Sequence, residues 1–121
     1  APFDLVVADV SFAPLRTLLV VLSAFLREGG TLIALIKPQF ELAGAEVGRG
    51  GVISDPAAHV RAIELATEAA APGGLAPQAL CFSPLKGPKG NIEFFLLAQQ
   101  GGIPATIDIS GVVSRAHACL D

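Results

Sequence analysis

Three polar residues in a very apolar chain stand where they could do chemistry. Asp9 lies near the end of the run DLVVADV, Lys37 ends TLIALIK, and Glu93 opens NIEFFLLA. Each run reads as a buried strand. In a parallel sheet carrying one antiparallel strand, two strand ends and one antiparallel strand start share a rim. An amine between two carboxylates on one rim is a set suited to catalysis. Any one of the three has a plainer role: Asp9 as a cap for the following helix, Lys37 as a strand-end lysine, Glu93 as a solvated edge residue. Together they point to a site.

The elements that would position them follow from periodicity. Phe3 to Val10 is a valine-rich strand. Pro14 suits a first helical turn, and Leu15, Leu18, Leu19, Leu22, Phe25 and Leu26 recur with helical spacing up to Gly29-Gly30. Thr31 to Lys37 is a second strand, so the opening is a strand–helix–strand unit with a right-handed crossover. Pro38 fixes an extended backbone at Lys37. Pro38 to Ser54 is a long Gly-rich connection of the kind that carries function. Asp55-Pro56 starts a helix that runs to Pro72-Gly73-Gly74. A third strand, Ala76 to Phe82, contains Pro77 and therefore belongs at a sheet edge. The loop SPLKGPKG leads to a fourth strand, Asn91 to Gln99. With no helix between them, the last two strands should pair antiparallel. The tail 101–121 has room for a short helix near Val112 to Leu120.

Composition agrees with this α/β reading. The 121 residues allow one domain at most, and 52% are hydrophobic against 16% charged. A mean hydropathy of +0.62 is high, as expected for strands covered on both faces. No run reaches the roughly 18 continuous apolar residues of a membrane span, and no signal peptide is visible. Cys81 and Cys119 form no close-spaced motif, and two histidines make a zinc site a poor reading, so no metal is expected. Free thiols suit a reducing cytoplasm. Net charge is −3, which counts mildly against this piece alone gripping nucleic acid.

The segments DLVVADVSF, ALIKPQFE, GRGGVISDP and SPLKGPKGNIEFFL, in that order, resemble the TlyA (haemolysin A) family over the first 100 residues. These are FtsJ-like, S-adenosylmethionine-dependent ribose 2′-O-methyltransferases acting on ribosomal RNA. The resemblance implies the C-terminal half of a Rossmann-like methyltransferase fold, with three parallel strands, one antiparallel strand and helices packed on the sheet. Residues 1–100 would be that half-domain and 101–121 a tail. It also implies a Lys-Asp-Lys-Glu tetrad, of which Asp9, Lys37 and Glu93 match the last three members. The first lysine and the glycine-rich cofactor loop would lie before Ala1, so this chain should be inactive alone. Asp9 would also sit near the cofactor's transferable methyl. The chemistry requires these types. A ribose hydroxyl is a poor nucleophile, so it must be held in line with the methyl and relieved of its proton.

Around this set, Arg49, Lys86 and Lys89 could contact RNA phosphates or simply keep turns soluble. Asn91 could cap a turn or touch substrate. Phe40 is the best stacking candidate, although Phe40, Phe94 and Phe95 suit a core better. Ser11 reads as a helix N-cap. His59, on a helix surface, and His117, in the tail, have no assigned role. Ribosomal RNA or a ribosomal subunit would be the partner, in the cytoplasm and without a membrane. The unpaired edge Phe3 to Val10 invites a homodimer.

Other classes fit less well. A phosphoacceptor receiver domain also ends a strand in aspartate and a later one in Lys-Pro. It needs a further strand–helix unit between them and an acidic magnesium pair, and neither has a candidate. A membrane-active protein would need a spanning segment or a basic amphipathic helix. A non-catalytic interaction module remains the alternative for the fragment itself.

Overall fold

The structure, a computed structural model, describes residues 3–10, 13–42 and 48–121, the side chain of Arg49 excepted. Ser11 therefore lies outside the described residues. Four strands form one sheet: β1 (Phe3–Ala8), β2 (Leu26–Ile36), β3 (Leu75–Phe82) and β4 (Phe94–Gln100). Their spatial order is β1-β2-β4-β3. β2 pairs parallel with β1 and antiparallel with β4, and β4 pairs antiparallel with β3. Three strands thus run one way and β4 runs against them, as the sequence pattern requires. Pro77 lies on the edge strand β3, where a register shift between Pro77 and Ala79 accommodates it.

Four helices accompany the sheet: α1 (Leu15–Ser23), the single turn α2 (Pro38–Glu41), α3 (Pro56–Ala70) and α4 (Ile109–Leu120). Asp55 caps α3 by accepting from Ala57 N–H at 3.0 Å, and Pro56 occupies the first turn. Asp108 caps α4 through Gly111 N–H. The tail helix is longer than its sequence pattern suggests and packs on α3 and β3. Leu15 and Leu19 of α1, Ile63 and Ala66 of α3, and Val113 and Ala116 of α4 share one core. They meet the inward residues Leu32, Ala34 and Ile36 of β2 and Phe94, Leu96 and Ala98 of β4. The alternate strand residues face the other way: Leu5, Val7, Phe95 and Leu97 are exposed.

Three expectations need correction. The first helix does not extend to Gly29-Gly30; it ends at Ser23, and Leu26 already belongs to β2. The reason is the close parallel approach of β1. Phe3 pairs with Leu26 and Leu5 with Thr31, so the extra β2 residues bulge. Gly29, at φ +81, makes that bulge possible. A Cβ on Gly30 would fall 2.9 Å from the Arg27 carbonyl oxygen, which explains the second glycine. Next, β4 begins at Phe94, so Glu93 precedes the strand instead of opening it. Finally, His59 is not on a helix surface: it is fully buried.

Candidate functional site

Asp9 follows the last residue of β1 and Lys37 the last residue of β2. Because these neighbours run parallel, both side chains emerge at the carboxyl end of the sheet, where open α/β sheets bind ligands. Lys37 Nζ lies 2.5 Å from Asp9 Oδ1. The environments of the partners differ. The Lys37 side chain is 11% exposed, whereas that of Asp9 is 63% exposed. An amine held this close to a carboxylate is restricted in direction, and the open carboxylate gives the pair a route to solvent.

Glu93 reaches the same rim from the opposite direction. The last register pair between β2 and β4 joins Ile36 to Phe94, so the next step sets Glu93 opposite Lys37. Glu93 is buried, and its Oε2 accepts from Gln39 Nε2 at 3.0 Å. Among the described residues it makes no ion pair with Lys37. It acts on the lysine's neighbour: a carboxylate can only accept, so it fixes Gln39's amide with the NH2 inward toward Glu93. Gln39 Oε1 is left buried without a partner among the described residues. Gly87 makes room for this carboxylate, because a Cβ there would stand 2.2 Å from Glu93 Oε2.

Beside the triad lies a pocket of about 220 Å³ lined by Lys37, Gln39, Phe40, Gly51, Pro88, Lys89 and Asn91. Lys89 is in the left-handed region at φ 63, alone among the described non-glycine residues. Such a backbone costs on the order of 1 kcal/mol and points to a functional constraint. Its amine closes over Gly51, where a Cβ would stand 3.3 Å away. Asn91 is 1% exposed, and both ends of its amide are occupied. Oδ1 accepts from Ile53 N–H at 2.9 Å and Nδ2 donates to the Gly51 carbonyl at 2.9 Å. It therefore ties the glycine loop to the base of β4. Lys86 lies elsewhere, exposed and 3.9 Å from Asp121. Phe40 is half-buried in the pocket wall, Phe94 is core, and Phe95 is exposed on the open sheet face. The Arg49 side chain lies outside the described residues.

Two buried groups were not singled out by sequence reasoning. Glu41 Oε2 accepts from Leu15 N–H at 2.6 Å and Oε1 from Arg16 N–H at 3.1 Å. Burial pushes its carboxyl pKa above the ordinary value, against the lowering effect of those bonds and of the Arg16 charge. His59 forms a relay. Its Nε2 is 2.8 Å from the Ile53 carbonyl oxygen and its Nδ1 is 2.8 Å from His117 Nε2. His117 Nδ1 in turn lies 2.5 Å from Asp121 Oδ2. The carbonyl and carboxylate can only accept, so the complete chain needs three protons on two rings. Burial lowers the His59 pKa, with the Ile53 bond opposing. Spacing alone hides both groups, since their partners are distant in sequence.

Known proteins resemble this chain in sequence and in fold. The sequence model of the FtsJ-like methyltransferase family matches residues 1–100. YqxC of Bacillus subtilis, which carries an rRNA methyltransferase name, is 38% identical over 118 residues, 93% of this chain and 42% of its own length. The 16S/23S rRNA (cytidine-2′-O)-methyltransferase TlyA of Mycobacterium tuberculosis is 41% identical over 93 residues, 77% of this chain and 35% of its own. Hemolysin A of Brachyspira hyodysenteriae is 32% identical over 91 residues, 75% of this chain and 38% of its own. A crystal structure from Lactococcus lactis, assigned as a hemolysin, superposes with a TM-score of 0.85 at 36% identity. It covers 94% of this chain and 56% of that one. The chain spans well under half the length of the curated relatives it matches.

Proposed function

Since the chain belongs to the FtsJ-like methyltransferase family, we propose that it is the acceptor-side half of an enzyme that methylates ribose 2′-hydroxyls in ribosomal RNA. The observation that carries this is the Lys37–Asp9 pair at the ends of two parallel strands, with buried Glu93 and Gln39 behind it.

The fold family implies S-adenosylmethionine, and the donor set on this side fits it. Asp9 is an exposed carboxylate at the carboxyl end of β1, suited to a cationic sulfonium group. When bound, that cofactor would supply an electrophilic methyl. The chain's own residues would do the rest. Lys37 would hold the acceptor hydroxyl, its amine taking the hydroxyl proton as it gives one of its own to Asp9. Asp9 would orient the amine and pass the proton towards solvent through its exposed edge. Glu93 would act through Gln39 to keep the wall of the acceptor pocket in place. Lys89 would meet an RNA phosphate, with Phe40 available for stacking. Asn91 would contribute by holding the loop that carries Gly51. Lys86 and Arg49 would add phosphate contacts at the periphery.

The partner would be ribosomal RNA or a ribosomal subunit, placing the protein in the cytoplasm. Among the described residues no helix is long and apolar enough to cross a membrane. By itself the chain would dimerise through β1, the sheet edge on which Phe3, Leu5 and Val7 are exposed.

The test is methyl transfer from labelled S-adenosylmethionine to ribosomal RNA by the longer protein that contains this chain. Nuclease digestion and mass spectrometry should then reveal 2′-O-methyl nucleosides. Label found only on bases, or none, would refute the proposal.

A further inference from the structure

Helix α1 has no cap of its own. Pro14 at the N-cap position makes no side-chain hydrogen bond, and there is no acidic residue in the first turn. The open N–H groups of Leu15 and Arg16 instead bond to Glu41, which comes from α2 and is 2% exposed. The Arg16 guanidinium returns a bond to the Glu41 carbonyl oxygen at 3.4 Å. This carboxylate joins the two helical segments that come next in the chain after Asp9 and after Lys37. α1 is the helix reached from Asp9, and α2 is the turn that begins immediately after Lys37.

The geometry points to Glu41 as a positioning residue for the pair. Pairing of β1 with β2 brings Asp9 and Lys37 to one rim, and by clamping the start of α1 to the end of α2 Glu41 adds a second restraint on how far apart they stand. Its value as a clamp comes from satisfying two helix-end donors with one buried acceptor, which the α1 sequence does not provide. The functional weight of this inference rests on the proposed methyl transfer, but its geometry can be tested without it.

The experiment uses the chain itself. N-hydroxysuccinimide acetate acylates accessible lysine amines, and peptide mass spectrometry reads each site, with exposed Lys86 as the internal reference. In the unsubstituted chain Lys37 should lag Lys86, because it is covered and paired. Glu41→Gln, which keeps the shape but offers one acceptor oxygen, should raise the relative rate at Lys37 by about threefold or more. Asp55→Ala is the control: it removes the α3 cap, a comparable structural loss, and should leave the Lys37 to Lys86 ratio unchanged. If Glu41→Gln does not fold, as judged by circular dichroism, Arg16→Ala supplies the graded version, a smaller rise in the same direction. No rise in the folded variant, or an equal rise in Asp55→Ala, overturns the inference. Absence of methyl transfer by the longer protein would refute the proposed reaction and leave this result standing.

Discussion

Lys37 and Asp9 follow the ends of different strands, yet their charged atoms lie 2.5 Å apart, with the lysine covered and the aspartate open to water. In the proposed reaction this asymmetry would separate the duties of the site. The covered amine would touch a substrate group out of water, while the open carboxylate would orient it. Glu93, which bonds to Gln39, would act at one remove.

Losing the amine should therefore cost more than losing the distant acid. In the longer protein, Lys37→Ala is expected to lower methyl transfer by about 100-fold or more, the range of lost proton handling. Glu93→Ala should cost less, since it only frees Gln39. Initial rates of label incorporation compare the two, and equal losses would contradict this ranking.

Lys89 holds a backbone conformation that glycine adopts without strain. Lys89→Gly should stabilise the chain by about 0.5–1 kcal/mol in urea unfolding. The same change should weaken RNA binding by the longer protein and flatten its salt dependence. A destabilised variant would mean the strain lies elsewhere.

Asn91, just before β4, satisfies the buried Ile53 N–H and the part-buried Gly51 carbonyl. Asn91→Ala leaves both unpaired and should cost about 1–3 kcal/mol. Hydrogen exchange at Ile53 should rise, since that N–H loses its acceptor. An unchanged rate at Ile53 would remove the clamp from the account.

Burial of His59 makes stability depend on pH with a defined sign. Its folded pKa lies below the ordinary 6.5, so the neutral ring is favoured by folding. The stability this provides is fully present above 6.5 and is lost as pH falls through the folded value. Thermal midpoints should drop on acidification through that window, as this group removes no more than about 1.4 kcal/mol of stability per pH unit. His59→Gln, which can still donate to the Ile53 carbonyl, should remove most of that slope. The slope belongs to other groups if it survives the substitution.

The strands, their directions and the rim residues were readable because period-two apolar runs and glycine or proline breaks are local signals. So was the Asp55-Pro56 helix start. Phe25 and Leu26 misled because their spacing continues a helical stripe, whereas pairing with Phe3 draws Leu26 into the sheet. Glu41 and His59 were silent for a related reason. A buried acid or imidazole takes its role from partners that only the folded chain brings near, here Leu15 and Arg16 in one case and His117 in the other. Lys89 looked like any loop lysine until its backbone angle was known.

The helices gather on a single side of the sheet, and that arrangement sets how the chain would record random substitution. Along β2 and β4, Leu32, Ala34, Ile36, Phe94, Leu96 and Ala98 are sealed, while Phe95 and Leu97 stand out in water. A polar replacement survey of the isolated chain should trace a zigzag, intolerant and permissive at successive positions.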